Sequence, residues 1–442
     1  MIKRIAYIII IGCCVLVTVG FFRYNPTVIY ADKVPVSAET VVHVNLREIE
    51  YNILCSFLKH PFSQLDFENT STKKREKKES LLNQVEIPSS LFFYTNQDEY
   101  KGFLISNKIL FKKRFVATLK EEGFKEQNIK EDTFYVKGRM ACVLQGNTFQ
   151  VLCKLEKDAV ISSELLTSLN EENYFPEEAS IFDKIKNRDN PITVTTTQGD
   201  FFEVTIDDGL LTLQGKLGEG NAVFLPFKAT SSNGTIAALS GKLNAEKVAG
   251  ALGENVKAKF KKLTSLSLDS IADKWSGAMN FNLSSFIEKS DTIVTYEYDD
   301  DFNKVEKKEV QHIIIPSLSL SVEGKELCDY LNKKQAIKLV ENDSVLTLMP
   351  LFTTYVSCKE DLLKLTSVKN QSKKRKTEEV NKFLFWFDVA AFQQKERGIY
   401  TFQNKYLDKI NTIQFSVAKN NEVKATVQLS NTSKNFFFQL SN

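Results

Sequence analysis

Residues that mark specialised protein classes are scarce in this sequence. The 442 residues include only 9 Pro, 18 Gly and 7 Cys, which excludes a collagen or a disulfide scaffold. A hydrophobic fraction of 43% excludes a fully disordered chain, and three His argue against a histidine-rich metal site. The net charge of +3, from 58 basic and 55 acidic residues, lacks the basic excess of a nucleic-acid-binding protein.

Known catalytic motifs are also missing. The sequence contains no Gly-x-Ser-x-Gly, His-Glu-x-x-His, P-loop, dinucleotide fingerprint or Cys-x-x-Cys. His43 and His312 fall inside predicted strands, and His60 precedes Pro61 at a predicted helix end. We therefore assign no catalytic, cofactor-binding or metal-binding residue and predict a protein that is not an enzyme. A triad assembled from distant residues stays open as an alternative.

Three charged clusters are interpreted as solvated loops. Asp299, Asp300 and Asp301 lie between alternating strands at 292–298 and 305–315, which predicts a polar hairpin tip. The cluster lacks the spacing of a calcium loop, so a cation site is the weaker interpretation. The basic runs at 73–78 and 373–376 lack interleaved aromatic residues, and binding to an anionic lipid or glycan surface is their alternative role.

The N-terminus carries a membrane signal. Residues 5–22 are uncharged and mostly apolar, and about 18 helical residues reach ~27 Å, close to the thickness of the hydrocarbon core. Lys3 and Arg4 precede this run, so the positive-inside rule places the rest of the chain outside the cytoplasm. We predict a retained signal-anchor at 1–23 that crosses once. A cleaved signal peptide and a lipoprotein signal ending at Cys13 are alternatives.

The remaining cysteines bear on the redox state of the ectodomain. Five lie beyond the anchor, an odd number that leaves at least one free thiol: Cys55, Cys142, Cys153, Cys328 and Cys358. Cys142 and Cys153 flank a predicted turn at Gly146-Asn147 and lie diagonally across it. That spacing of ~7–8 Å is long for a disulfide, so buried thiols are favoured over a bridge.

Strand signals alternate with helical ones beyond a linker at 24–35. Residues 201–206 and 210–217 flank Asp207-Asp208-Gly209 and predict a hairpin. A helix is predicted over 108–122, with Asn107 as N-cap and Gly123 as C-cap. Prominent hairpins and interspersed helices predict an α+β fold with mainly antiparallel sheets.

A self-comparison indicates two tandem α+β domains, at 36–230 and 231–442. Five landmarks recur in the same order about 200 residues apart, beginning with Asn45 and Asn244. The others are Phe115/Leu119 with Leu327/Leu331, the strand at Cys153 with that at Cys358, 181–183 with 386–388, and 220–225 with 434–439. In a true repeat Cys153 and Cys358 would be buried thiols, and Asp208 would match Asn420-Asn421 at a turn.

A further pattern recurs at three strand ends. Asn45, Asn282 and Asp388 each follow an alternating apolar strand and precede an apolar residue four positions on. Such side chains accept the first amides of a following helix, so we interpret all three as helix caps rather than as a shared site.

The start of the ectodomain resembles a group of bacterial proteins. Pro35, Ala38, Val41 and Val44-Asn45-Leu46 form a Pro-x-x-Ala…strand-Asn-Leu opening, and 429–436 forms a strand-turn-strand ending. Both are similar to large uncharacterised envelope proteins of Gram-negative bacteria that carry an N-terminal anchor and repeated α+β units. The resemblance implies an envelope location with the ectodomain in the periplasm, and no established chemistry.

Together these features predict a non-enzymatic envelope protein, held in the membrane through residues 5–22. Its role would be structural or the binding of a protein, peptide or lipid partner, and no nucleic acid is expected. The alternatives are a carrier of an apolar ligand, a hydrolase with a site assembled from distant residues, and an outer-membrane lipoprotein attached through Cys13.

Overall fold

A computed structural model describes most of the chain beyond residue 32. The described residues are 33–60, 84–86, 88–96, 100–129, 132–154, 174–186, 189–220, 223–232, 234–298, 302–348, 352–369, 376–378, 381–396 and 407–440. The chain divides into two compact units. Unit 1 comprises Met1–Gly220 with Asn431–Asn442, and unit 2 comprises Asn221–Ser430. Both are α+β with antiparallel sheets, as predicted.

The described residues of unit 1 form ten strands. They are β1 (Thr40–Asn45), β2 (Ser90–Asn96), β3 (Tyr100–Lys108), β4 (Lys125–Ile129), β5 (Asp132–Lys137), β6 (Met140–Gln145), β7 (Thr148–Lys154), β8 (Ile192–Thr196), β9 (Phe201–Asp207) and β10 (Leu210–Lys216). Its helices are α1 (Leu46–Lys59), α2 (Lys112–Glu121) and α3 (Ser180–Asp183), and a short C-terminal helix, Phe436–Leu440, also belongs here. The strands pair in the order β10-β9-β8-β1-β2-β3-β7-β6-β5-β4.

The described residues of unit 2 form twelve strands, of which ten pair in series and two form a separate sheet. The strands are β11 (Thr230–Ser232), β12 (Ala237–Lys242), β13 (Trp275–Tyr298), β14 (Lys304–Gly324), β15 (Ile337–Val340), β16 (Asp343–Leu346), β17 (Tyr355–Lys359), β18 (Leu362–Thr366), β19 (Lys376–Glu378), β20 (Asn381–Asp388), β21 (Ile410–Ala418) and β22 (Glu422–Leu429). The helices are α4 (Ala245–Ala251), α5 (Glu254–Thr264), α6 (Leu268–Ala272), α7 (Leu327–Lys333) and α8 (Val389–Glu396). The large sheet runs β22-β21-β20-β12-β13-β14-β18-β17-β16-β15, and β11 pairs with β19.

The two strand orders correspond one to one in chain order. In each unit the first strand of the ten-strand order lies in the interior of the sheet. The next two strands form a hairpin beside it and are followed by a helix. The next four strands extend the sheet to one edge, and the last three lie on the other side of the first strand. The corresponding hairpins also keep their register. The last pair before the turn is Gln145–Thr148 in β6/β7 and Lys359–Leu362 in β17/β18.

Two of the predicted residue matches agree with this correspondence. Phe115 and Leu119 of α2 are buried, as are Leu327 and Leu331 of α7, and each pair packs on its own sheet. The hairpin turns after β9 and β21 also match, because Gly209 and Asn421 both adopt positive φ there. Gly209 is required by packing as well, since a Cβ would meet the Asn431 carbonyl of the C-terminal segment at 2.4 Å.

Three other landmark matches are wrong. Cys153 lies on β7 and Cys358 on β17, which are different strands of the corresponding hairpins, and Cys358 is exposed and bonded rather than a buried thiol. The segment at 181–183 lies in α3, whereas 386–388 ends a strand. The last match fails because Phe436–Leu440 is helical. Similar apolar composition on unrelated elements accounts for these coincidences.

Two of the three predicted caps are confirmed. The Asn45 side chain accepts from the Glu48 amide of α1 at 3.1 Å, and Asp388 accepts from the Ala391 amide of α8 at 2.8 Å. Asn244, the predicted equivalent of Asn45, caps α4 in the same way at 3.1 Å. Asn282 is not a cap, because β13 continues through it.

The helix predicted over 108–122 is confirmed as α2, but its predicted start is wrong. Asn107 lies in β3, where its amide donates to the Glu86 carbonyl at 2.8 Å, and the helix begins at Lys112 without a side-chain cap. Gly123 has a φ of +87° just past the helix end, as the predicted C-cap requires. Phe111, which lies within the predicted helix, is 53% exposed because the helix has not yet begun there.

Replacing Asn244 with Ala is expected to lower the free energy of unfolding of unit 2 by about 1 kcal/mol, because one amide of α4 loses its acceptor. Both tryptophans, Trp275 and Trp386, lie in unit 2, so urea unfolding followed by tryptophan fluorescence reports on this unit. Asn282→Ala is the matched control, expected to change stability by less than about 0.5 kcal/mol. Equal losses in both variants would contradict the capping role.

A long two-stranded ribbon extends from the sheet of unit 2. Strand β12 pairs with β13 only as far as Leu283, and β18 pairs with β14 only over 319–323. From Glu288 to Tyr298 the strand β13 therefore pairs with β14 alone, over about 35 Å. Its outer part is exposed, including Tyr298 at 70% and Phe302 at 85%. The flanking strands match the predicted hairpin, and Asp299–Asp301 themselves lie outside the described residues.

One disulfide joins α7 to β17. It links Cys328 to Cys358 across a Cα–Cα distance of 6.2 Å, a pairing that the sequence did not predict. Cys142 is a buried free thiol, as favoured, whereas Cys153 is free but only half-buried, and Cys55 is free as well. Burial raises the pKa of the Cys142 thiol to about 12, so this cysteine is protonated at neutral pH.

The predicted anchor at 5–22 lies outside the described residues. Within the part of the chain that the structure describes, no helix is long and apolar enough to cross a membrane.

Candidate functional site

One face of the unit 2 sheet is polar across eight strands. Directly paired residues of antiparallel strands point to the same side, so the pairing registers define rows of side chains. The first row is Lys424, Ser416, Leu384, Ser240, Asn280, Ser321, Lys364 and Ser357. The second is Thr426, Gln414, Trp386, Ala238, Asn282, Ser319, Thr366 and Tyr355. We call these two rows the polar face.

The opposite side of the same strands is an ordinary core. Leu363 and Leu365 alternate with Lys364 on β18, and both pack with Leu327 and Leu331 of α7. This alternation explains why the strands are stable although one side carries hydroxyl, amide and ammonium groups. The polar face is therefore one side of a well-packed sheet.

The two-stranded sheet of β11 and β19, which we call the strap, is hydrogen-bonded through β11 to the middle of the polar face. The Thr230 amide of β11 donates to Ser240 Oγ at 2.8 Å, and Ser240 Oγ donates to Asn280 Oδ1 at 2.6 Å. Thr230 Oγ1 also donates to Asn280 Oδ1, at 3.4 Å. These bonds satisfy the central polar groups and leave the polar face open on either side of the strap.

The groove on one side of the strap is built around Trp386. It has a volume of about 540 Å³, and its lining includes Leu384, Gln414, Lys424 and Thr426. The Trp386 indole donates to the Thr235 carbonyl at 3.3 Å, which fixes the ring within the groove wall. An oriented aromatic ring surrounded by amide and hydroxyl groups can stack on one ligand surface and hydrogen-bond to its edges.

The groove on the other side is built around Tyr355. It has a volume of about 520 Å³ and is lined by residues that include Ser357, Lys359, Lys364 and Thr366. Lys369 contributes an ion pair with Asp343 at 2.5 Å and lies 5.3 Å from the centre of the Tyr355 ring. The hydrogen bond to Asp343 raises the pKa of Lys369. This groove again combines an aromatic ring with polar groups, and it is rich in lysine.

The corresponding face of unit 1 is filled and largely apolar. The hairpin registers place Ala141, Val143 and Leu152 of unit 1 at the positions of Tyr355, Ser357 and Thr366 of unit 2. All three are fully buried in a core with other large side chains: Val34, Val41, Phe92, Tyr94, Phe134, Phe182 and Ile185. Where unit 1 uses this face for stability, unit 2 leaves it accessible.

His43 lies within that filled face of unit 1. It is 3% exposed, its ring centre is 5.0 Å from that of Phe92, and Thr193 stands directly opposite it on β8. Neither ring nitrogen has a hydrogen-bond partner among the described residues. Burial lowers the pKa of His43 to about 4, so the imidazole is neutral. It is a core histidine of a predicted strand, as the sequence indicated.

Ser56, Asp208 and His60 meet in unit 1 but do not form a catalytic triad. The Ser56 hydroxyl donates to Asp208 Oδ1, and His60 Nε2 lies 4.0 Å from Asp208 Oδ2. A nucleophilic serine needs the imidazole as its base, with the carboxylate behind the imidazole. Here the carboxylate binds the serine directly, so the cluster ties the end of α1 to the β9/β10 turn.

The other residues considered as sites are scattered. His312 lies on the ribbon, where Nδ1 is 3.0 Å from Glu288 Oε1, and it is exposed. The basic run at 73–78 lies outside the described residues, as do the first three residues of the run at 373–376. Over the described ranges, no three His, Cys, Asp or Glu residues are grouped as metal ligands.

The polar face was missed because it depends on register rather than on any motif. The alternation at 317–322 (Ser-Leu-Ser-Leu-Ser-Val) was a visible signal of a strand with one polar side. Only pairing with Asn280, Lys364 and Ser357 turns it into a continuous surface. In the sequence Trp386 stands out only as part of the landmark at 386–388. A tryptophan on the polar side of a strand is nevertheless a signal for a binding surface.

Comparisons with known proteins give no family. No protein-family model matches the chain, and no curated protein does so either. Among solved structures, crystal forms I and IV of TP0453 are similar at 10% and 12% identity, with TM-scores of 0.23 and 0.24. The alignments cover 77% and 76% of this chain and 93% and 92% of those chains. Similarity at this level carries no argument about fold or function.

Proposed function

We propose that the chain is a membrane-anchored, non-enzymatic binding protein of the cell envelope, and that unit 2 binds an extended saccharide on its polar face. The observation that carries the proposal is the polar face itself, with an aromatic side chain in each groove. The polar face is one side of an antiparallel sheet whose other side is packed. The ligand would therefore bind to a rigid surface.

The location is supported by two independent features. The run at 5–22 is long enough for a signal-anchor, with Cys13 as the attachment point if the segment is instead a lipoprotein signal. The Cys328–Cys358 disulfide favours an oxidising compartment, because cytosolic thiols are kept reduced. Both features support a location of the two units outside the cytoplasm, and the resemblance to Gram-negative envelope proteins favours the periplasm.

The two units are proposed to be a tandem duplication. The identical strand order, the matching turns at Gly209 and Asn421 and the equivalent caps Asn45 and Asn244 support it. Duplication gives a physical route to the polar face. One copy keeps its sheet face buried, while the other exchanges buried apolar residues for polar ones and becomes free to bind a ligand.

The chemistry of the polar face fits a saccharide better than an acyl chain. Twelve of its sixteen side chains are Ser, Thr, Asn, Gln or Lys, so a hydrocarbon would leave them without hydrogen bonds. A sugar ring offers an apolar face for Trp386 or Tyr355 and hydroxyl groups for the amides around them. The apolar-carrier alternative therefore has less support than a polar ligand.

The test uses Trp386 as its own reporter. Trp275→Phe leaves Trp386 as the single tryptophan of the full chain, solubilised in mild detergent. Titration with maltohexaose, a neutral oligosaccharide, and with a galacturonic acid hexamer is expected to change Trp386 emission with saturation in at least one case. The Trp386→Phe variant retains Trp275 at the base of β13 and is expected to show no saturable change.

Isothermal titration calorimetry of the same proteins supplies the second measurement. Trp386→Ala is expected to weaken binding in the Trp386 groove about 5- to 100-fold, the loss that removal of a stacking ring produces. Absence of heat and of emission change with both hexamers would overturn the proposed function.

A further inference from the structure

We infer that the saccharide is anionic and that the Tyr355 groove binds its acidic groups through Lys359 and Lys364. This inference rests on the proposed function and adds the charge class of the ligand. It also separates the roles of the two grooves, which differ in charge although both contain an aromatic ring.

The three lysines of the Tyr355 groove are not equivalent. Lys369 is neutralised by Asp343 at 2.5 Å. Lys359 and Lys364 form no ion pair with any carboxylate of the described residues, and both side chains are exposed. Glu323 faces the same side, opposite Leu362 and diagonal to Lys364, but it forms no ion pair with either lysine among those of the described residues.

The registers bring the two lysines together. Lys359 pairs with Leu362, and Lys364 pairs with Ser357, so both ammonium groups point to the polar face from neighbouring strands. They are two positions apart along the hairpin, a separation of about 7–8 Å that adjacent substituents of one ligand can span. Ser357 and Thr366 supply hydroxyl donors beside them. Two ammonium groups flanked by hydroxyls form a receptor for carboxylate, sulfate or phosphate oxygens.

The Trp386 groove differs in this respect. It contains one lysine, Lys424, and one carboxylate, Asp388, which accepts the Ala391 amide as the cap of α8. Its formal charge is therefore balanced. The neutral stacking site at Trp386 and the positive site at Tyr355 lie on either side of the strap, about 24 Å apart by strand spacing. Charge complementarity thus selects an acidic saccharide over a neutral one.

The experiment compares two hexamers of similar length, one acidic and one neutral. Isothermal titration calorimetry on the detergent-solubilised full chain measures binding of the galacturonic acid hexamer and of maltohexaose at 50 and 200 mM salt. The acidic hexamer is expected to bind more tightly, and its affinity alone is expected to fall as salt rises, because screening weakens exposed charge pairs.

The matched variants are two double substitutions that remove the same charge. Lys359→Gln with Lys364→Gln is expected to weaken binding of the acidic hexamer about tenfold, and to leave maltohexaose within twofold. Lys333→Gln with Lys334→Gln is the control, because those exposed lysines end α7 on the opposite side of the sheet. The control is expected to leave both affinities within twofold.

The outcomes separate the inference from the proposed function. Equal affinity for the two hexamers, unchanged in the Lys359/Lys364 variant, overturns the inference and leaves saccharide binding standing. Inorganic phosphate is also tested as a competitor of the acidic hexamer, at equal charge concentration. If phosphate competes as strongly as the hexamer itself, the inference is overturned as well, because the groove is then a general anion site. Failure of both hexamers to bind overturns the proposed function.

Discussion

Replacing Cys328 with Ser is expected to lower the free energy of unfolding of unit 2 by about 3–4 kcal/mol. The Cys328–Cys358 disulfide closes a loop of 30 residues, and the chain-entropy account gives this magnitude for a loop of that length. The bond also fixes α7 on the sheet through β17, where Leu327 and Leu331 pack over Leu363 and Leu365. Urea unfolding followed by tryptophan fluorescence measures the loss, because both tryptophans lie in unit 2.

The controls follow from the other cysteines. Cys358→Ser is expected to cause the same loss, and the double variant no more than either single one, because a single bond is removed in every case. Cys55→Ser changes a free thiol of unit 1 and is expected to leave the tryptophan transition unchanged. A wild-type transition that does not move when the protein is reduced would contradict a stabilising disulfide.

Local features of the fold were predictable from sequence because their causes are local. The turn at Asp208-Gly209 needs a residue with positive φ, and the helix starts at Asn45 and Asp388 need a side-chain acceptor. Asn282 is the exception. Asn282 has the same sequence signature but lies inside β13, where pairing with β12 and β14 continues the strand past it. Tertiary pairing overrides the local preference for a cap.

Features that depend on long-range register were not predictable. Cys328 and Cys358 come together only because α7 packs against β17, and five cysteines allow many pairings. The polar face likewise requires the alignment of strands far apart in sequence, such as β12 with β20 and β14 with β18. The repeat was inferred from five landmarks of which three were coincidental, since apolar strands resemble one another. The strand order and turn positions give it a firmer basis.

The contrast between the two units also explains where stability and binding reside. Unit 1 encloses Leu152, Val143 and Ala141 in a buried core, whereas unit 2 places Thr366, Ser357 and Tyr355 at the corresponding positions. Forgoing that core costs stability, which the disulfide in unit 2 offsets. A binding surface made in this way is rigid, because its other side is fully packed.

Unit 1 is expected to lose about 3 kcal/mol of stability between pH 7 and pH 4 through His43 alone. Its pKa is about 4 in the folded chain, against an ordinary value of 6.5. The unfolded chain therefore binds a proton below pH 6.5 that the folded chain refuses until about pH 4. The stabilising contribution is complete above pH 6.5 and is lost as the pH falls through this window.

The physical cause is the environment that burial creates. The aromatic ring of Phe92 lies beside His43, and the carboxylate on the same row, Glu203, is two strands away at about 10 Å. No ion pair compensates an imidazolium there, so its desolvation dominates. Because the neutral ring nitrogens also lack partners among the described residues, an apolar side chain of similar size fits the site better.

His43→Leu is accordingly expected to stabilise unit 1 by about 1 kcal/mol at pH 7 and to remove most of its pH dependence. Amide hydrogen exchange of peptides from β1 and β8, measured by mass spectrometry between pH 4.5 and 7, reports on unit 1, which holds no tryptophan. The chain has only three histidines, so His312→Gln on the exposed ribbon and His60→Gln complete the set, and both are expected to retain the wild-type slope. A slope that survives in His43→Leu and disappears in His60→Gln would assign the acid sensitivity to the Asp208 contact instead of the buried imidazole.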